Sequence, residues 1–441
     1  MASPELNTQT IGRAHQARES NLGFYVVLLY VLMVMARPQD AIPVLRIIPF
    51  GTGLSVLILF LVLASGKLNF SRVQTKLWVP LLAVMAVHVP IAVNNYWALM
   101  VFKDMLLLFF AYLGIVIFVD TVVKMTTLIK VWLAASLFLA IWGIFHGGRG
   151  IGGWMGDEND FCLVMNMAIP FSYFLLLSAR GGRQKIAYLA VLGSCTLAAM
   201  TSLSRGGFVG LASVGAHGWY RSPKKAIALI IVPLVVVFMM LFAPKTYWDE
   251  IASAFSEETM TVGTGADRLY TWEIGMEMFY SNPIVGVGQG NFPWAFSEYE
   301  GDRRFLSPDG PSRGGRAAHS VWVALVAELG LVGILIVGGM LFQCYKDLKV
   351  VRTRFAPVRS RWKGSPVTQA GEDMRAILAR AMEGSLIGFI VTGVFISALW
   401  YPILWLMMAL VVALRNISED KEDGMVSPVV RPGDPHVILR R

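Results

Sequence analysis

The chain has 441 residues, of which 56% are hydrophobic and 15% charged, with a formal net charge of +9. Its apolar residues fall in blocks long enough to cross about 30 Å of hydrocarbon, which excludes a soluble fold. The basic excess does not call for nucleic acid, because loops retained in the cytoplasm carry the same excess in a membrane protein.

Met1 to Asn21 is polar and mixed in charge, and the first apolar block runs into Arg37-Pro38 without a small-residue cleavage pattern, so no removable signal peptide is expected. Apolar blocks then centre on Leu29, Leu57, Ala86, Leu108, Ala135, Phe171, Leu192, Leu211, Leu234, Ile334, Ile390 and Trp405. At about 20 residues per span this predicts about twelve transmembrane helices in an all-α polytopic protein. Asn94 to Asp120 reads as one tilted helix open to interruption at Lys103-Asp104, and Met382 to Leu414 as two spans turning near Trp400-Tyr401-Pro402. The resulting division is transmembrane helices 1–9 over residues 1–243, a long loop over 244–318, helices 10–12 over 319–414 and a tail over 415–441.

Lys67, Arg72 and Lys76, Lys124 and Lys130, Arg180, Arg183 and Lys185, and Arg221, Lys224 and Lys225 fall in alternate loops, with a further basic run from Lys346 to Lys363 on the same side. The positive-inside rule makes that side cytoplasmic, with both termini. The long loop is then periplasmic. Within it, Leu269, Trp272, Ile274, Met276 and Phe279 recur at mostly helical spacing, which predicts an amphipathic helix over Asp267 to Tyr280, ended by Asn282-Pro283. Gly286, Gly288 and Gly290 follow, but GVGQG lies outside any strand-turn-helix context and does not read as a nucleotide loop.

A few polar residues on the poorly charged side need a reason. Thr201 to Gly207 (TSLSRGG) is a hinge between apolar blocks, where Arg205 either snorkels to lipid phosphates or grips an anion beside Ser204, Gly206 and Gly207. Arg268 opens the loop helix and has a surface salt bridge to Asp267 or Glu273 as its plain alternative. His319 begins the tenth block, where imidazole suits proton transfer near neutral pH, although a structural histidine is equally compatible with that place. His146, His88 and His217 compete less well. The turn GGRGIGGWMGDEND carries Arg149 with Asp157, Glu158 and Asp160, a set readable as a divalent-cation site or as a tight acidic turn. Cys162, Cys195 and Cys344 have neither disulfide nor zinc spacing, and no metal or cofactor is expected.

Together TSLSRGG at 201–207, DRLYTWEIGMEMFYSNPIVGVGQGNF at 267–292 and AHSVWVALVAELGLVGI at 318–334 resemble the O-antigen ligase and polymerase superfamily of bacterial membrane glycan transferases. ARPQD at 36–40 and DEND at 157–160 resemble its exosortase-associated ligase branch. The resemblance implies a GT-C-like helical fold in the bacterial inner membrane and a periplasmic site. It also implies an undecaprenyl-diphosphate-linked glycan as donor and lipid A-core as acceptor. The family's functional residues fall on Arg205, Arg268 and His319, with Ser204 and Gly206 beside the diphosphate and Arg37, Arg149, Trp272, Glu273 and Ser320 in support. Ser320 departs from the family pattern, which often has Asn after the histidine. The implied activity is a metal-independent, inverting O-antigen ligase. A polymerase or protein O-oligosaccharyltransferase uses the same motifs, and an anionic-solute transporter is the alternative from another class.

Overall fold

The computed structural model describes residues 21–222, 225, 264–301, 315–356 and 373–419, and the regular elements among them are all helical. Helix is the form in which a single segment satisfies every backbone N–H and C=O without water. The helices are α1 (Asn21–Ala36), α2 (Phe50–Ala64), α3 (Val73–Ile91), α4 (Asn95–Phe118), α5 (Val122–Phe145), α6 (Glu158–Ser178) and α7 (Gly182–Thr201). They continue with α8 (Arg205–Arg221), α9 (Thr264–Ser281), α10 (Phe292–Glu300), α11 (Val321–Arg354), α12 (Met374–Thr392) and α13 (Pro402–Glu419).

Seven of these, α3 to α6 and α11 to α13, are long and apolar enough to cross a membrane, and α1 and α2 are apolar but shorter. The expected twelve spans are therefore not reached among the described residues. The blocks around Leu192 and Leu211 are helices, but α7 opens on Arg183, Gln184 and Lys185, and α8 is only 17 residues long. The block around Leu234 lies outside the described residues, as does much of the 244–318 loop. Where that loop is described, α9 covers the predicted helix and ends at Ser281. Helix α4 runs unbroken past Lys103 and Asp104, which pair with each other at 3.3 Å on its exposed face.

Helix α6 is the centre of the bundle: every side chain from Phe161 to Leu175 is buried, against α5, α7, α8 and α12. Small residues let α8 approach closely. A Cβ on Gly206 would lie 2.5 Å from Phe395 Cβ, one on Gly207 would overlap Cys162 Sγ, and one on Gly210 would overlap Thr392 Oγ1. Asn166 of α6 fastens the contact, its Nδ2 donating to the Gly207 carbonyl at 2.8 Å and to Thr392 Oγ1 at 3.2 Å.

Helix α11 is broken at Gly330, whose backbone (φ 59°, ψ −154°) is open essentially to glycine alone. A break leaves carbonyls of the first half and amides of the second without helical partners. The segment after α9 supplies them. Val287 and Gly288 N–H donate to the carbonyls of Ala327 and Glu328, both at 2.9 Å, and the Leu331 and Val332 amides donate to the carbonyls of Pro283 and Ile284 at 2.9 and 3.1 Å. Gly330 and Gly286 are buried at this junction, while Pro283 to Val285 stay exposed on its outer side.

Ion pairs join the helices at one end of the bundle. There Arg72 and Arg415 bind Glu419, Arg221 and Arg352 share Glu383 at 3.0 and 3.1 Å, and Arg375 grips Asp373 at 2.6 Å. The starts of α6, α8, α11 and α13 and the ends of α7 and α12 meet at the other end.

Gly330→Ala should destabilise the protein by at least about 1–3 kcal/mol from backbone strain alone, because its Cβ would also sit 2.7 Å from the Ile284 carbonyl. Gly338→Ala on the same helix, with nothing within 4 Å, is the control and should be neutral or stabilising. Thermal unfolding of the two purified variants in one detergent checks the difference.

Candidate functional site

The site is assembled where helices start. Ser204 caps α8, its Oγ accepting from Gly207 N at 2.9 Å, and the same hydroxyl donates to Asn159 Oδ1 at 2.7 Å. Asp157 caps α6: its Oδ1 accepts from the Asn159 backbone N–H and from Asn159 Nδ2 at 2.8 and 2.9 Å. A chain of hydrogen bonds thus runs Asp157–Asn159–Ser204 and ties the acidic turn to the SRGG turn. The three acidic residues of that turn go to different partners, for Glu158 pairs with Arg149 at 3.1 Å and Asp160 Oδ2 accepts from the Tyr401 hydroxyl at 3.0 Å.

The loop helix meets His319 through Trp272, whose indole N–H donates to the Ala318 carbonyl at 3.0 Å. His319 itself has left-handed backbone (φ 46°), and its N–H donates to Ser397 Oγ at 2.8 Å. Ser320 caps α11, accepting from Val323 N. Asn and Ser cap helices about equally well, which gives the departure from the family pattern a structural reading. Ser397 belongs to the link between α12 and α13, as do Phe395, packed on Gly206, and Tyr401, bound to Asp160. That link touches the acidic turn, the SRGG turn and the His319 segment.

Arg205, Arg268, His319 and Asp157 share one electrostatic neighbourhood. Partial burial lowers the Arg268 pKa, the nearby Arg205 charge lowers it further, and Asp157 opposes both. Arg268 stays cationic at any ordinary pH. His319 is exposed, yet the protein beside it desolvates the ring enough to hold its pKa below the usual imidazole value; Arg268 pushes it the same way and Asp157 opposes. Asp267, one of the partners a surface reading of Arg268 offered, pairs with Arg316 at 3.6 Å. Such an arrangement can receive a polyanion at the guanidinium pair and keep a neutral imidazole beside it as a proton acceptor.

The remaining candidates sit around this group. Arg37, left-handed at φ 48°, is bound to Asp40 and lies 5.9 Å over the Trp154 ring, which itself contacts Tyr401 with ring centroids 5.0 Å apart. Arg149 is held by Glu158, and Glu273 is exposed on α9. Gly206 and Gly207 have a packing reason of their own, independent of any anion. His146 stacks on Trp142 with centroids 3.8 Å apart, and His88 is buried on Gln289 Oε1 at 3.1 Å. A cavity of about 1040 Å³ lined by Phe174, Leu177, Arg180, Arg183 and Arg380 opens at the other ends of α6 and α7, away from this group. Asp157 was read from sequence only within a set open to a divalent cation, and Asn159, Ser397 and Tyr401 were not singled out as site residues. For the first two the signal was present in the DEND turn beside Arg149; for the link there was only its turn-forming Pro402.

Residues 188–338 match the family described as O-Antigen ligase, a stretch that holds Arg205, Arg268 and His319. Over 216 residues the chain is 24% identical to "Exopolysaccharide production protein ExoQ" of Rhizobium meliloti (strain 1021), covering 45% of this chain and 48% of that protein. The matched region therefore spans about half the length of this relative.

The electrostatics set a signed expectation for His319. With only six histidines in the chain, its ring can be identified in nitrogen-15 NMR spectra by loss of its signals in His319→Ala. Its pKa should lie below the ordinary value of about 6.5. Removing the cation in Arg268→Ala should raise it, and removing the carboxylate in Asp157→Asn should lower it further. Shifts in the opposite senses would break the assignment of these four groups to one neighbourhood.

Proposed function

We propose that this chain, which belongs to the O-antigen ligase superfamily, transfers a glycan from undecaprenyl diphosphate to the lipid A-core oligosaccharide at the periplasmic face of the bacterial inner membrane. The observation that carries the reading is the pairing of two mutually repelling arginines with a deprotonation-prone histidine at one end of an apolar helix bundle. The basic residues of the other end suit the cytoplasm, which supports a periplasmic position for the group, where no ATP is at hand. The energy then comes from the diphosphate leaving group.

In the proposed step an acceptor hydroxyl attacks the anomeric carbon opposite the diphosphate. The new bond joins the acceptor oxygen to that carbon, while the carbon–oxygen bond to phosphate breaks and its electron pair leaves with the diphosphate. His319 takes the hydroxyl proton. Arg205 and Arg268 neutralise the charge gathering on the leaving oxygen, where fixed donors are worth more than in water. In-line displacement inverts the anomeric centre. A solute transporter built on half-helices would leave the ends at the break for its cargo, whereas here loop backbone occupies both sides of the break at Gly330.

Turnover of purified protein on a lipid-linked donor and acceptor should fall by roughly 10²- to 10³-fold in Arg205→Ala and in Arg268→Ala, and by roughly 10²- to 10⁴-fold in His319→Ala. Near-normal rates in all three would sink the mechanism.

The printed name of the relative, an exopolysaccharide production protein, favours one second reading in which the acceptor is a growing glycan and the enzyme a polymerase. Deleting the gene and resolving lipopolysaccharide on a gel separates the two. A ligase should leave no capped species, whereas a polymerase should leave single-repeat caps. Unchanged lipopolysaccharide would remove the lipid A-core acceptor and leave an exopolysaccharide or protein.

A further inference from the structure

We infer that Glu328 is a positioning residue for this transfer, holding the Arg268 helix in register with His319; the inference rests on the roles given to those two residues above. Glu328 lies in the first half of α11, the half that His319 leads into, and is 3% exposed. Its Oε2 accepts from Gly290 N–H and from the Trp400 indole N–H, both at 2.7 Å, and its Oε1 accepts from Phe292 N–H at 3.2 Å. The donors come from two separate segments, none is charged, and among the described residues the carboxylate has no ion-pair partner.

Three converging N–H groups require a group that only accepts. A carboxylate meets that demand, whereas a glutamine amide would turn its NH₂ toward at least one donor. One donor, Phe292 N–H, is the first of α10, where the preceding Asn291 makes no side-chain cap. Glu328 caps that helix from outside. Helix α10 in turn braces α9, since the Tyr270 hydroxyl donates to Glu300 Oε1 at 2.9 Å and Asn282 Nδ2 donates to the Tyr299 hydroxyl at 2.7 Å. Tyr270 is two residues beyond Arg268. The Trp400 bond leads the other way, into the link whose Ser397 accepts the His319 N–H. Glu328 thus bonds directly to the segments on both sides of the reacting centre while touching neither Arg268 nor His319.

A residue acting through the placement of Arg268 should lose its effect when Arg268 is gone. Wild type, Glu328→Gln, Arg268→Ala and the double variant are compared for kcat and KM with a lipid-linked donor and for hydrogen exchange over residues 283–292. Glu328→Gln should lower kcat by about tenfold or more with KM changed less than about threefold. Added to Arg268→Ala it should cost less than about threefold further. Equal losses in both backgrounds, or a wild-type kcat in Glu328→Gln, would overturn the inference. Should Glu328→Gln not fold, Trp400→Phe removes one donor and leaves the carboxylate two; it must show the same dependence on Arg268 or the inference fails. A wild type inactive on every lipid-linked donor would instead defeat the proposed reaction. Exchange at Gly290 and Phe292 then decides the local claim, faster in Glu328→Gln if the carboxylate holds the loop and unchanged if it does not.

Discussion

The break in α11 is the constraint around which the rest of the site is arranged. A continuous helix from Val321 to Arg354 would need no partners for its backbone in mid-bundle, and nothing would oblige the segment after α9 to enter. Once Gly330 interrupts it, carbonyls and amides are freed that cost several kcal/mol wherever they are buried and unmet. The Pro283–Gly288 backbone meets them, which draws α9 down onto α11 and with it Arg268 toward His319. The same loop continues inward: Gln289 Nε2 donates to the carbonyls of Met85 and Ala98 at 2.8 and 3.1 Å, and Asn291 Oδ1 accepts the Asn94 N–H at 2.7 Å. An element that would otherwise be a surface excursion is thereby fixed to α3 and α4 as well.

Backbone strain collects at the same end. Arg37, Leu203 and His319 are the non-glycine residues with positive φ among those described, and they fall in the ARPQD, TSLSRGG and AHS segments. Each such residue costs on the order of 1–3 kcal/mol and persists only where its surroundings overdetermine it. The surroundings are visible in each case. Leu203 is pinned between the Ser202 hydroxyl, which donates to the Ala199 carbonyl at 2.7 Å, and the Ser204 cap. His319 is held by Ser397, and Arg37 by Asp40 and Trp154. Strain of this kind turns the chain just before a helix start, so that Arg205 and His319 fall at the starts of α8 and α11 and not within their length.

Much of the helical layout was legible because hydrocarbon imposes it: eleven of the expected apolar blocks are helices, and the loop helix falls over the predicted residues. Arg205, Arg268 and His319 stood out because cations and an imidazole are conspicuous where basic residues are few. The rest was hidden for physical reasons. Gly286, Gly288 and Gly330 look like ordinary turn or helix glycines, and only the meeting of two segments some forty residues apart, roughly a loop and a helix in length, gives their positive φ a purpose. Glu328 reads as a stray acid in an apolar run until its three donors are known. Ser397 and Tyr401 belong to a link whose sequence announces a turn and nothing of what it touches. The glycine pair after Arg205 was legible as a close approach, but the approaching partners include Phe395 and Cys162, side chains far away in sequence or on another helix.

The distribution of charge between the two ends is the remaining asymmetry. At the end rich in basic residues, buried or half-buried arginines are matched to carboxylates, Glu383 serving two of them and Glu419 two more. Those pairs are closed circuits, and they hold helices together without inviting a ligand. At the opposite end the Arg205 charge adds to burial in lowering the Arg268 pKa, and Asp157, whose Oδ1 accepts from Asn159, opposes that shift and the one at His319. Keeping two guanidinium groups close in a partly desolvated place is unfavourable in the resting protein. The repulsion is relieved when a group with two or more negative charges arrives between them, and the relief grows as that group gains charge. In the proposed reaction a diphosphate that departs from a sugar gains charge, so the arrangement would favour the departing state over the bound one. In the proposed reaction, that is the physical sense in which this end of the bundle would serve the transfer.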